Sequence, residues 1–457
     1  MKRNANHWEG STWKFWKTSQ RNRCIRVLVV ALSVICATVV LFAENPPYIP
    51  YINTFSSSGS KLSPHCANVS PIQEFSFYAR QRSLAQELFN ANAAAYIAEP
   101  GPSAAYFANI SNSHWRLSER PLLLIVSPVV DDHGEVQANI SVLSPKFETT
   151  RAKLLPIPGQ SPPNFFEWAE DTDPYAVAVS TIHNLGSKPI YVDDSVRLFI
   201  AEGLQKASAG NLVASAPVAI RLLRERKSSE EIDILKCANE ATLLAIREAR
   251  EKMYIGIRES EAGKLIRDAI TSTGLKDAYA LTLFGENAAL PHGGGTDRVL
   301  GAEDLVLIDC GGTLHGYRSD LTRTFALPGS IVSPQQLSIW NIVHEAQSTA
   351  LNAARNGTIT AAVDRAAREV IEGYGYGEYF THRLGHGIGL ETHESPYLRG
   401  GSSDIILPGH TFSNEPGIYI EGGIGIRLED CFYIDENGEG QYLTAGVGGQ
   451  ANNPWDP

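Results

Sequence analysis

From residue 74 onward, polar and apolar positions alternate at helical spacing through FYARQRSLAQELFNANA. The runs AAAYIAEP and PLLLIVSP that follow are apolar and short, as buried strands are. Strand-like alternation continues through YAVAVS and KPIYVDD, and VRLFIAEGLQKA is amphipathic again. This β-α-β rhythm predicts a small α/β domain over residues 74–225.

A second domain is predicted over residues 226–447. Its entrance is SSEE, Ser228 to Glu231, which has the form of a capping box with Ser228 as N-cap. Ile232, Leu235, Leu243 and Ile246 then recur at helical spacing, so a long amphipathic helix opens the domain. Beyond it the chain turns to apolar, glycine-punctuated strands: LVLIDCGG, SDLTRTFAL, SNEPGIYI and GIGIRLEDCFYI. Residues 448–457, GGQANNPWDP from Gly448 on, read as a flexible tail, and no internal repeat is visible.

Length and composition agree with a multidomain globular protein: 457 residues, 43% hydrophobic and 19% charged. A formal net charge of −11, with no basic stripe beyond the N-terminus, excludes nucleic acid as a partner. The N-terminus itself is different. Residues 1–26 carry seven basic side chains against Glu9 alone, and Val27 to Ala43 is then a run of 17 uncharged residues. That length is at the lower end of what crosses a bilayer. A cleaved signal peptide is the competing reading, but Leu41 suits its cleavage site poorly. The expectation is a single-pass protein: a cytosolic basic tail (1–26), a transmembrane signal anchor (27–43) and a Pro/Ser-rich stalk (44–73). The rest of the chain would then be lumenal or extracellular, or secreted if the signal is cleaved. Four N-x-[ST] sequons, at Asn68, Asn109, Asn139 and Asn356, add mild support for a glycoprotein. Cys66, Cys237, Cys310 and Cys431 lie in the folded part, and their spacing chooses none of the three pairings.

The candidate chemistry centres on HRLGHGIGLETHE, His382 to Glu394. A dinucleotide loop needs G-x-G-x-x-G between a strand and a helix. Here the glycines alternate, and Glu391, Glu394 and Pro396 follow, so phosphate binding is set aside. A lone histidine is ordinarily a surface residue, but three in this stretch call for a reason. Asp309 ends the apolar run LVLIDCGG, Asp320 sits in YRSDLTRTF, and Glu415 and Glu429 lie beside apolar strand residues. Any one of these carboxylates is most simply a solvated loop starter. Four gathered in a dry site would repel one another by several kcal/mol unless protonated or matched by cations. Two divalent ions match them in charge. An oxygen-rich set with one imidazole suits manganese, with cobalt or zinc as alternatives.

The order Asp309, Asp320, His386, Glu415, Glu429 resembles that of the pita-bread metallopeptidases, in their Xaa-Pro aminopeptidase and prolidase branch. HRLGHGIGLETHE is close to the proline-peptidase signature, departing from it at Thr392, where an Ile or Val is usual. WRLSERPLLLIV more weakly resembles the creatinase-like N-terminal domain of the same proteins. The resemblance implies an α/β (α+β) protein whose C-terminal half is a pita-bread fold with a curved antiparallel sheet. It implies metal ligation by Asp309, Asp320, His386, Glu415 and Glu429, with Asp320 bridging. Glu415 would also take the proton of the attacking water. His393 would steady the tetrahedral intermediate, His292 would position the scissile carbonyl, and His382 would lie on the substrate side. Arg427, two residues before Glu429, could hold a ligand carboxylate.

The implied activity is a dinuclear exopeptidase that hydrolyses the N-terminal Xaa-Pro bond by a metal-bridged hydroxide. A prolidase acting on Xaa-Pro dipeptides is the near alternative, and a metal-dependent small-molecule hydrolase or lyase on the same fold is the more distant one. A pure binding module on this fold would be expected to have lost ligands. The implied partners are a peptide or small-molecule substrate and, through residues 27–43, the membrane, with a homodimer left open.

Overall fold

The computed structural model describes residues 66–457. The basic tail, the proposed anchor at 27–43 and the stalk up to residue 65 lie outside the described residues. Among the described residues no helix is long and apolar enough to cross a membrane.

The N-terminal half is a six-stranded mixed sheet, ordered β4-β3-β2-β1-β5-β6. Its strands are β1 (Ala95–Ala98), β2 (Leu123–Val130), β3 (Val136–Pro145), β4 (Asn164–Trp168), β5 (Ile190–Val192) and β6 (Val213–Ser215). Interleaved with them are α1 (Glu74–Asn90), α2 (Pro102–Ala108), α3 (Thr149–Ala152), α4 (Pro174–Ser180), α5 (Leu198–Ala207) and α6 (Val218–Glu225). Both faces of the sheet are covered. Tyr96, Leu124 and Val126 enter one core, and Ile97, Leu123 and Ile125 the other. That is why β1 and β2 read as continuous apolar runs. YAVAVS departs from its strand-like pattern and forms α4. Pro174 occupies the first turn and the Asp173 carboxylate accepts from the Tyr175 amide at 2.9 Å, so capping overrides a short alternation.

The helix α7 (Ser229–Glu251) begins at the expected capping box, with Ser228 and Glu231 exchanging hydrogen bonds. Ile232, Leu235, Leu243 and Ile246 are all buried. With α8 (Glu259–Ser272) it covers an antiparallel sheet of β7 (Lys276–Phe284), β8 (Val306–Leu314), β9 (Tyr317–Arg318) and β10 (Leu321–Phe325). A second helical pair, α9 (Pro334–Ala353) and α10 (Thr360–Gly373), packs on a five-stranded antiparallel sheet. That sheet holds β11 (Gly385–Gly387), β12 (Glu394–Leu398), β13 (Thr411–Asn414), β16 (Asp430–Ile434) and β17 (Gly440–Tyr442). The hairpin of β14 (Gly417–Tyr419) and β15 (Gly425–Arg427) completes it. A bridge between Thr322 and Glu429 joins the two sheets, giving the expected antiparallel layer between helices.

Two expectations about flexible ends are corrected. Residues 448–457 are docked, not loose. The Ala326 amide donates to Pro454 at 2.7 Å, and Arg247 and Arg323 donate to the carbonyls of Pro457 and Gly449. Polar composition suggested a tail, but backbone carbonyls supply the contacts, and every sequence has those. Residues 66–73 of the proposed stalk are likewise packed. Cys66 is bonded to Cys237 in α7, and Val69 and Ile72 lie against the core beside it. Cys310 and Cys431 stay free and buried.

Candidate active site

The period of two along β8 sends Val306, Ile308 and Cys310 into the helical core and turns Asp309 to the other face. There it borders a cavity of about 1000 Å³, lined also by Asp320, His386, Glu415 and Glu429. In register, Thr322 of β10 stands opposite Asp309, so Asp320 enters at the same end of the sheet. His386 is the middle residue of β11, and Glu415 follows β13 directly, its amide donating to Leu384 at 2.9 Å. Strands β8, β10, β11 and β13 thus converge on one space, and Glu429, just before β16, joins them.

Three overlapping trios have donor atoms within 4.8 Å of one another: Asp309, Asp320 and Glu429; His386, Glu415 and Glu429; Asp320, His386 and His393. The five residues expected to hold metal are all among them. His393 is the addition. His386 Nδ1 lies 3.0 Å from the Gly387 carbonyl, which turns Nε2 to Glu415 at 3.3 Å and Asp320 at 3.7 Å. The glycine before it has a packing role. A Cβ on Gly385 would meet the Ser413 carbonyl oxygen at 2.1 Å, so glycine there lets β13 approach.

Electrostatics argue for cations. Burial, and next the charge of Asp309, pushes the Asp320 carboxyl up to about 8. Glu429 is also pushed far up by burial and then by Asp320, Glu415 and Asp309. Burial opposes ionisation of Glu415 too, but the hydrogen bond and charge of His386 prevail and bring it down to about 2. Asp309 keeps one buried oxygen, Oδ1, without a hydrogen-bond partner. In direct contact with the four carboxylates the described residues set Arg427, and His386 when protonated. An oxygen-rich, under-compensated set with an orphaned acceptor fits divalent metal ions.

Arg427 behaves as its position suggested. Its Nη2 donates to Asp309 at 2.7 Å and its Nε to Thr322 Oγ1 at 3.1 Å, while that hydroxyl donates to Glu429 at 2.7 Å. His382 is partly buried. Its Nε2 lies 2.9 Å from the Tyr419 hydroxyl, and burial, the largest influence on it, lowers its pKa. His292 lines the cavity and is exposed. His393 is exposed too. Its ring stands edge-on to His386 with centroids 4.3 Å apart, and burial followed by the charge of His386 lowers its pKa to about 4.

Several site residues escaped sequence reasoning. Tyr279 donates a short hydrogen bond to Asp320, and Tyr419 ties His382 to Arg427. Arg383 and Arg399 line the cavity and pack on the ring of Tyr397. Thr322 alone had a signal, since it sits two residues from Asp320 on a strand face.

Residues 233–436 match Metallopeptidase family M24. An uncharacterized peptidase of Schizosaccharomyces pombe is 42% identical over 365 residues, 79% of this chain and 80% of that protein. The chain belongs to metallopeptidase family M24. An Xaa-Pro dipeptidase of Pyrococcus furiosus is 39% identical over 221 residues, 48% of this chain and 63% of that protein. Among solved structures, a dipeptidase of Mycobacterium ulcerans superposes with a TM-score of 0.72 at 29% identity, covering 82% of this chain and 97% of that one. The fold is therefore the M24 pita-bread fold, and M24 enzymes are dinuclear metallopeptidases.

The expected localisation as a single-pass membrane protein is corrected at this point. The relatives that weigh against it are named as peptidases and dipeptidases. The expectation rested on a 17-residue apolar run, and run length at that limit does not by itself distinguish a span. The sequons lose their argument with it.

Proposed function

We propose that this M24 metallopeptidase is a dipeptidase of the prolidase type, cleaving Xaa-Pro dipeptides, rather than the Xaa-Pro aminopeptidase that the motif first suggested. One observation of the site carries the choice: the cavity holding the carboxylate cluster also exposes Arg383 and Arg399, and among the described residues no ion pair neutralises either guanidinium. A dipeptide brings a free amine and a free carboxylate within a few ångströms of its scissile bond, and a cavity with both acidic and guanidinium groups matches both ends. The names of the Pyrococcus and Mycobacterium relatives support the same reading.

In this proposal Asp309, Asp320, His386, Glu415 and Glu429 hold two divalent ions, manganese in the first instance, with cobalt or zinc as alternatives. Bound there, the ions would activate water and polarise the carbonyl before proline. Glu415, whose carboxylate lies 3.3 Å from His386 Nε2 within the cluster, takes the proton of the attacking water. His393, neutral at physiological pH, donates to the oxygen of the tetrahedral intermediate. His292 orients the scissile carbonyl, and His382, fixed by Tyr419, closes the substrate side. Arg427 and Tyr279 keep Asp309 and Asp320 aimed at the centre.

The test is a substrate panel on purified, manganese-loaded protein: Xaa-Pro, Xaa-Ala, Xaa-Pro-Yaa and N-acetylated Xaa-Pro. Xaa-Pro should lead by at least about tenfold in kcat/KM, equivalent to about 1.4 kcal/mol of transition-state discrimination. Faster cleavage of Xaa-Pro-Yaa would return the aminopeptidase reading. Cleavage of no peptide by metal-loaded protein would favour a small-molecule enzyme.

A further inference from the structure

His393 has no hydrogen-bond partner for its ring among the described residues, so its place depends on the loop that carries it. That loop runs between β11 and β12. The Gly389 carbonyl accepts from the Arg318 amide at 2.8 Å, and the Gly389 amide donates to Glu391. The two carboxylates flanking Thr392 and His393 reach away from the cavity to the end of α6 and the short segment that joins it to α7. Glu394 pairs with Lys227, their side chains 3% and 1% exposed, and Glu391 pairs with Arg224 at 2.6 Å. Ser395 adds a hydrogen bond to Glu225.

Lys227 is itself fixed. Its amide donates to Gly409 at 2.7 Å, its ammonium also donates to the Glu225 carbonyl, and the neighbouring Arg226 donates to Pro408. The pair lies against the loop backbone: a Cβ on Gly389 would meet Glu394 Oε1 at 2.7 Å and Lys227 Cε at 2.9 Å. A buried ion pair adds little stability over well-packed apolar side chains, but its directed hydrogen bonds fix the relative position of the two segments it joins.

We propose that Lys227, through its ion pair with Glu394 and seconded by Arg224 on Glu391, is a positioning residue that holds the loop presenting His393 to the substrate. The linker between the two halves of the chain is thereby part of the active-site machinery. The proposal rests on the role given to His393 above.

Two variants test it, Lys227→Met and the charge-balanced Lys227→Met/Glu394→Met, the second guarding against misfolding from an unpaired buried carboxylate. On the best dipeptide, kcat should fall about 10- to 100-fold, the scale of an ångström-level misplacement. KM and the two metals per chain should stay near wild type. Independently of any substrate, amide hydrogen exchange in residues 388–393 should accelerate in both variants. A folded double variant with wild-type kcat and unchanged exchange overturns the clamp. If the wild type cleaves no dipeptide, the reaction assigned above fails, and the exchange measurement still decides whether Lys227 holds the loop.

Discussion

Asp309, Asp320 and Glu429 are each gripped by a neighbouring donor, by Arg427, Tyr279 and Thr322 in turn. His292 and His393 line the same cavity, are exposed, and have no such grip on their rings among the described residues. In the function proposed above, the difference follows from what each set must do. Carboxylates crowded in a dry site are under mutual repulsion and swing or protonate unless donors hold them. Groups that meet a substrate must stay open to it, so they are placed by their loops. One wall is built from side-chain contacts and the other from backbone position.

The sharpest way to break this contrast is to remove a ligand from the carboxylate cluster. Asp309→Asn or His386→Ala should lose metal, by elemental analysis, together with activity, and chelation of the wild type should abolish turnover. Full activity in metal-free protein would end the metallopeptidase reading. On the open wall, His393→Ala should retain two metals and lower kcat by about 10²- to 10³-fold, the usual cost of one transition-state donor. Loss of metal in that variant would make His393 a ligand, which its place in the trio with Asp320 and His386 allows to be asked.

The grips themselves are a smaller effect. Tyr279→Phe and Thr322→Val keep every carboxylate but remove a donor, and each should weaken metal affinity by about 10- to 100-fold, read by competition with a chelator. The smallest effect lies beside the linker. Burial, then the charges of Lys227 and Arg226, lowers the His410 pKa to about 4. Its Nδ1 accepts from the Leu407 amide at 3.3 Å and its Nε2 is buried without a partner, so the neutral ring is the one that fits. The unfolded chain binds this proton first, so stability falls as pH drops below about 6.5 and the loss levels off below about 4. Between pH 8 and 5 the loss should be about 2 kcal/mol in denaturant titrations, and His410→Gln should lack that component.

Much of this molecule was legible in its amino-acid order. The capping box at Ser228, the buried stripe of α7, the apolar strands that carry Asp309 and Glu429, and the five metal candidates are all local patterns. Spacing, alternation and charge crowding act over a few residues or within a known motif, so they can be read without coordinates. The apolar run at 27–43 was legible as hydrophobicity only, and that property did not decide a location.

What only the tertiary structure decided are the long-range choices. The Cys66–Cys237 bond spans 171 positions, the Tyr279 hydroxyl reaches Asp320 across 41, and Lys227 reaches Glu394 across 167. A tyrosine or lysine carries no local mark of the carboxylate it will meet, because that partner is chosen by how sheets stack and loops return. The docking of residues 448–457 and the helical YAVAVS belong with them. Backbone carbonyls and one capping aspartate settled those segments, against the pattern of their side chains. The sequence therefore named the groups proposed to do the chemistry, and packing supplied the contacts that aim them.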